Sequence, residues 1–284
     1  MTASPIRPTH PGGQRLHWPI MWSIVRRDLT AVRRSKAVVI PMLLVPTLLM
    51  IVLPLVVGYA ARSASSSELG AANFLDSVPQ QLAEPIEALP PQAQLLTLIL
   101  GFLLAPLFMI VPLMVSAVIA ADTFAGEKER RTMETLLHLP ISDRDLFVAK
   151  LLTGLVPAIT VSWTGFLAFS IVANTVAWGQ VEGLLVPNRL WLVMIFWVAP
   201  GVAMLGLGVM VRVSARSRTS QEANQLGGAV ILPLIFIAVG QSTGVLLVSL
   251  TLALIIGAVI WALALFLVWR GAHHFTRDRI ATAT

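Results

Sequence analysis

Few residues in this chain have the type and spacing to do chemistry. Glu127 and Glu129 stand two apart, ahead of a pair of arginines, and are the carboxylates best placed for acid–base work or for holding a metal. A membrane metalloprotease would need an HExxH helix, with two histidines one turn apart beside the glutamate. The five histidines, His10, His17, His138, His273 and His274, form no such pattern, and all lie outside the apolar runs. Cysteine is absent, which excludes disulfides, thiolate nucleophiles and Cys-ligated metals. There is no GxxxxGK[ST] phosphate loop. The stretch GVAMLGLG, Gly201 to Gly208, has the glycines of a nucleotide loop but sits inside an apolar run, where small residues serve close helix packing. The chain therefore reads as a non-enzyme, with no catalytic residue and no metal site.

Composition gives the class. Only 12% of the 284 residues are charged, 56% are hydrophobic, and the mean hydropathy is +0.82. A water-soluble fold keeps roughly a quarter of its residues charged, so the solvent for this chain must be a bilayer. The net charge of +6 comes from basic residues clustered at the ends of apolar runs, not along one face of a soluble helix, which excludes a nucleic-acid binder. The first apolar run lies behind a basic segment too long for a signal-peptide n-region, so it reads as a retained span.

Crossing the hydrocarbon core takes about 20 apolar residues. Six runs qualify: Ala37 to Ala61, Gln92 to Ala121, Leu146 to Gln180, Leu190 to Val211, Ala223 to Gly240 and Val245 to Trp269. Six crossings put both termini on one side, and basic residues should then concentrate on the cytoplasmic side. The segments before Ala37, from Asp122 to Lys150, from Arg212 to Glu222 and after Trp269 hold 18 of the 20 Lys and Arg residues, leaving Arg62 and Arg189 opposite. The opposite side carries Glu68, Asp76, Glu84 and Glu87 in a Pro-containing loop over 62–91, and Glu182. The expected organisation is an all-α integral membrane protein: a tail and interfacial helix over 1–36, a six-span domain over 37–270, and a tail over 271–284, with both termini cytoplasmic. Lys150 is counted with the cytoplasmic loop, so no ionisable residue is expected inside the spans. That argues against a proton relay, although backbone carbonyls still suffice for a cation.

Polar residues remain in or near the spans. Thr160, Thr164, Asn174 and Gln225 are the candidate pathway residues, with Ser162 beside them; the alternative for each is a bond to neighbouring backbone. Prolines 41, 46, 54, 106, 112 and 157 are expected to kink their helices.

Two segments belong to the cytoplasmic face. From Trp18 to Lys36, helical spacing gathers Trp18, Met21, Trp22, Val25, Leu29 and Val32 on one side, with Arg26, Arg27, Arg33 and Arg34 on the other. This predicts a helix lying in the interface, its aromatic edge at headgroup depth and its arginines meeting anionic lipid. The second segment, GEKERRTMETLLHLPISDRDLFVAK from Gly126 to Lys150, is densely charged in a chain that elsewhere avoids charge. Glu127 with Arg131 and Arg130 with Glu134 are i,i+4 pairs supporting a helix whose edge is Met133, Leu136 and Leu137. Pro140 ends it, and Ser142 with Asp145 has the spacing of a capping box that starts the next span. A short helix with an apolar edge between two spans is either a solvated loop or an element that docks in a protein groove.

On these residues the chain resembles permease subunits of type 2 ABC exporters, the group that includes bacterial sodium-exporter and drug-exporter permeases. GEKERRTMETLLHLPISDRDLFVAKLL is similar to the family's Gly-Glu-Lys-Glu-Arg stretch, its Thr-Leu-Glu-like core, its Pro, and a Lys entering the next span. VVIPMLLVPTLLMIVLPL behind the basic helix resembles the family's amino-terminal elbow and first span, and SARSRTSQEANQLGGAVILPL resembles the entry to its fifth. Arg131 stands where many members carry Gly, and Met133 where Leu is common. The resemblance implies a six-span fold like that of type V ABC exporters, in a bacterial or archaeal-type cell membrane. It implies a coupling helix over about 126–139 that inserts into a separate ABC ATPase subunit, through Gly126, Glu127, Lys128, Glu129, Arg130, Thr132, Met133, Glu134, Leu136 and Leu137. ATP and Mg would be bound by that partner, and the permease would pair as a homodimer or with a second permease. The competing expectation is a non-transporting scaffold or assembly factor that holds a soluble partner with the same helix.

Overall fold

The computed structural model describes residues 18–63, 86–126, 129, 142–217, 219, 221–223, 225–226, 228 and 250–274. Among them every regular element is a helix. Helix α1 (Trp18–Arg34) precedes five helices long and apolar enough to cross a membrane: α2 (Val38–Arg62), α3 (Pro91–Gly126), α4 (Arg144–Ala177), α5 (Arg189–Ser214) and α6 (Leu250–Ala272). These correspond to the first, second, third, fourth and sixth runs expected from the sequence. The fifth run, Ala223 to Gly240, falls largely outside the described residues.

The directions of the helices follow from their side-chain contacts. In α4, Lys150 reaches Thr123 near the end of α3, while Phe166 and Phe169 meet Phe108 higher up, so α3 and α4 are antiparallel. Met50 of α2 lies against Gly165, and the Arg62 guanidinium donates to the Val176 carbonyl at 3.1 Å, so α2 runs with α4. Trp163 Nε1 donates to the Ile195 carbonyl, and Leu207 packs on Gly154, making α5 antiparallel to α4. Helix α6 runs parallel to α5: Trp197, Gly201, Gly208 and Val211 meet Gly257, Trp261, Leu267 and Gly271 in turn.

Helix α3 is the centre of the bundle. Its apolar window is 67% buried, against 22% for α2 and α4 and 11% for α6. Close approach to α5 depends on missing side chains. A Cβ on Gly206 would lie 2.6 Å from Ser116 Oγ and 3.0 Å from Leu113 Cδ1, distances a real side chain does not tolerate. The glycines of GVAMLGLG thus serve packing on α3 and α6, the use that small residues have between membrane helices.

Prolines disturb these helices, but rarely where the ring sits. Turns of π-helix, with hydrogen bonds one residue longer than those of an α-helix, occupy Leu48–Val52, Thr97–Leu103, Asp122–Gly126 and Met194–Val198. Two of them end just before Pro54 and Pro200, whose rings crowd the carbonyl four residues back. Helix α3 breaks into a turn at 108–109, between Pro106 and Pro112, whereas α4 passes Pro157 without interruption. Three of the four π turns are cross-tied by side chains of neighbouring helices. Asn188 Nδ2 and Trp191 Nε1 donate to the Gly101 and Leu100 carbonyls, at 2.9 and 3.1 Å. The Trp163 and Trp261 indoles donate to the Ile195 and Trp197 carbonyls, and Lys150 Nζ to that of Thr123. In a bilayer no water satisfies a carbonyl released by an irregular turn, so a neighbouring donor must.

Candidate functional site

The site is built where α1, the end of α3 and the start of α4 converge. Ser142 is extended, and its hydroxyl accepts from the Asp145 backbone N–H at 3.1 Å, so the cap expected from the sequence starts α4. One turn later Leu146 and Ala149 receive Met21, Ile24 and Val25 of α1. Helix α1 is thus docked on protein through part of its apolar side. Trp18 and Trp22 stay 59% and 56% exposed, at the outer edge of that side next to Arg26 and Arg33. Arg34 is also exposed, while Arg27 pairs with Asp28 at 2.8 Å. Asp28 is buried on the docked side, and its Oδ2 has no hydrogen-bond partner among the described residues. The sequence pattern of one continuous lipid-facing stripe is therefore split. The aromatic edge is free to enter a membrane interface, and the aliphatic remainder grips α4.

Between α3 and α4 lies the segment for which the resemblance implies a coupling helix. Gly126 closes the last π turn of α3 and is buried. Glu129 is exposed. Glu127, Lys128 and Arg130 through Ile141, which include Thr132, Met133, Glu134, Leu136 and Leu137, lie outside the described residues. What the structure does define is the frame at both ends. Phe124 and Ala125 pack with Phe147 and Leu151 of α4 and with Met210 and Val211 of α5 in one apolar cluster.

Lys150 corrects the expectation of ion-free spans. It lies inside α4, 1% exposed, not in the loop. Its ammonium donates to the Thr123 carbonyl at 3.0 Å and sits 5.4 Å from the Phe124 ring centroid. Both contacts are favourable for a cation: the end of a helix carries partial negative charge, and an aromatic face attracts an ammonium. The signal was present in the sequence, since a lysine inside an apolar run is functional by default.

The candidate pathway residues do not gather. Thr160 and Thr164 are exposed on α4 and donate to the Val156 and Thr160 carbonyls at 2.8 and 2.7 Å. Asn174 is committed to the loop after α4. Its Oδ1 accepts from the Leu185 and Val186 N–H groups, and its Nδ2 donates to the Ser170 and Val186 carbonyls. Gln225 is exposed beyond the end of α5. Thr160, Thr164, Leu167 and Ile171 lie on an exposed face of α4.

A family model described as ABC-2 family transporter protein matches residues 22–269. The chain belongs to that family. The match begins within α1 and ends near the end of α6, so it takes in every helix described above. No individual curated protein matches the chain. Members of the ABC-2 family are the transmembrane, non-catalytic components of transporters and typically work with an ABC ATPase subunit. The protein is accordingly a multi-pass membrane transport permease.

Proposed function

We propose that the chain is the membrane subunit of an ATP-driven exporter, with the segment around 126–139 docking on a separate ABC ATPase. The observation that carries this reading is the frame of that segment. Its two stems, the end of α3 and the start of α4, are packed together and onto α1 and α5, so force on the segment would reach four helices at once. On nucleotide binding the ATPases would draw two such segments together and change which side of a central cleft is open. ATP and Mg are assigned to the partner, and a homodimer or a heterodimer with a second permease supplies the other half of the cleft. The cell membrane is the assigned location.

Six crossings are part of the proposal. Parallel α5 and α6 support the sixth: α5 ends at the α1 end of the bundle, and α6 begins at the other. The sequence between these two opposite ends contains the apolar run Ala223 to Gly240, which we assign to the sixth crossing. Cytoplasmic placement of the α1 end rests on the distribution of Lys and Arg. Trp18 and Trp22, with Arg26, Arg27, Arg33 and Arg34 around them, are assigned to the interface with anionic lipid on that side. Thr160, Thr164, Asn174 and Gln225 remain candidates to meet the transported substrate or a second subunit.

Isolating the full chain from its native membrane in mild detergent tests the reading. A phosphate-loop ATPase is expected to remain bound, and its hydrolysis to respond to the permease. A chain that retains soluble proteins but no ATPase would favour the scaffold alternative.

A further inference from the structure

We propose that Lys150 is a positioning residue that binds the two stems of the docking segment into one unit, so that movement of the segment carries α3 and α4 together. This rests on the ATPase-docking reading given above. Lys150 stands about two turns into α4, yet its ammonium ends on the Thr123 carbonyl in the final π turn of α3, four residues before Glu127. The bond therefore closes a loop whose covalent path runs through the entire docking segment. Beside it, Phe124 supports the ammonium, and Phe147 and Leu151 seal the joint against α5.

The chemistry of the site argues for a task beyond filling space. Phe124, Phe147 and Leu151 at this joint are apolar, and a methionine or leucine would occupy the same volume without desolvating an ammonium. What only the cation supplies is a directed, charge-assisted bond to a carbonyl in the final π turn of α3. Without that bond, the apolar contacts between the last turn of α3 and α4 are non-directional and resist sliding less. With it, the two stems have one fixed register where force would enter.

The test uses the full chain, in which any introduced cysteine is unique because the sequence has none. Lys150→Met keeps the length and apolar stem and removes the donor; Lys150→Arg keeps a charged donor. Hydrogen exchange in lipid nanodiscs reads the joint directly. Lys150→Met is expected to speed exchange over 122–126 about tenfold, and Lys150→Arg to restore most of the protection. Transmission is read with Tyr59→Cys, at the far end of α2, in proteoliposomes containing the bound ATPase. ATP should change its labelling rate by an impermeant maleimide. Lys150→Met should shrink that change about fivefold or more, at unchanged ATPase binding, with recovery in Lys150→Arg. Should Lys150→Met fail to accumulate, Lys150→Gln, too short to hold the same bond, is read in its place. Wild-type exchange, or a wild-type ATP response in the donor-less variant, overturns the role of Lys150. Absence of any ATP response in the wild-type complex instead overturns the docking reading, so the two failures are distinguishable.

Discussion

Reversing two charges, Glu127→Lys with Arg130→Glu, is expected to abolish ATP-driven conformational change while the protein still inserts in the membrane. Both residues lie outside the span boundaries, ahead of the first cap of α4, so the bilayer places no demand on their sign. The i,i+4 pairs that the sequence predicts, Glu127 with Arg131 and Arg130 with Glu134, would contribute only about 0.2–0.5 kcal/mol each, and the like-charge pairs that replace them would cost a similar amount, so the reversal is not expected to unfold the protein. At an interface the same charges act differently. A like-charge juxtaposition against the partner costs several kcal/mol, on the order of a hundredfold or more in affinity. The measurement is ATPase retention by the permease in detergent, alongside an exchange profile of α3 and α4 that should match the wild type. Retention at the wild-type level would remove the docking role from this segment.

Trp191→Ala is expected to have the largest effect on stability. The indole is wholly buried and meets three rings on two other helices: ring centroids of Phe108 on α3 and of Phe166 and Phe169 on α4 lie 5.4, 5.4 and 4.7 Å away. Its Nε1–H also satisfies the Leu100 carbonyl in the π turn of α3. Lipid offers no hydrophobic penalty for separated helices, so packing and such bonds carry more of the load. Truncation leaves a cavity among three rings and removes the bond to the Leu100 carbonyl, with a cost of about 3–5 kcal/mol. Thermal unfolding in detergent should show it, whereas Trp197→Ala, at a residue 41% exposed, should cost less.

What the sequence revealed and what it concealed have physical reasons. Long apolar runs and the cap at Ser142 are local properties, so the five described spans and the start of α4 were legible. Helix periodicity also found α1, but it could not tell apolar side chains that meet lipid from those that meet protein. Trp22 and Val25 sit on one arc in sequence, yet one is exposed and the other fully buried against α4. Asn174 likewise reads as a polar residue in a span, and only the fold reveals that its amide is consumed by the Leu185 and Val186 backbone. Lys150 was misassigned to the loop because charge near a span end usually snorkels to water. Its carbonyl partner lies in the π turn that ends α3, a feature that residue pattern does not announce.

Site-directed crosslinking from position 129 tests ATPase docking most directly. Glu129 is exposed, and Glu129→Cys would be the sole cysteine of the chain. In native membranes a short bifunctional maleimide at this cysteine is expected to capture an ATPase subunit from the cytoplasmic side, with a yield that changes when ATP is added. A cysteine that is labelled from outside the cell, or that captures no ATPase in either nucleotide state, would contradict the assignment.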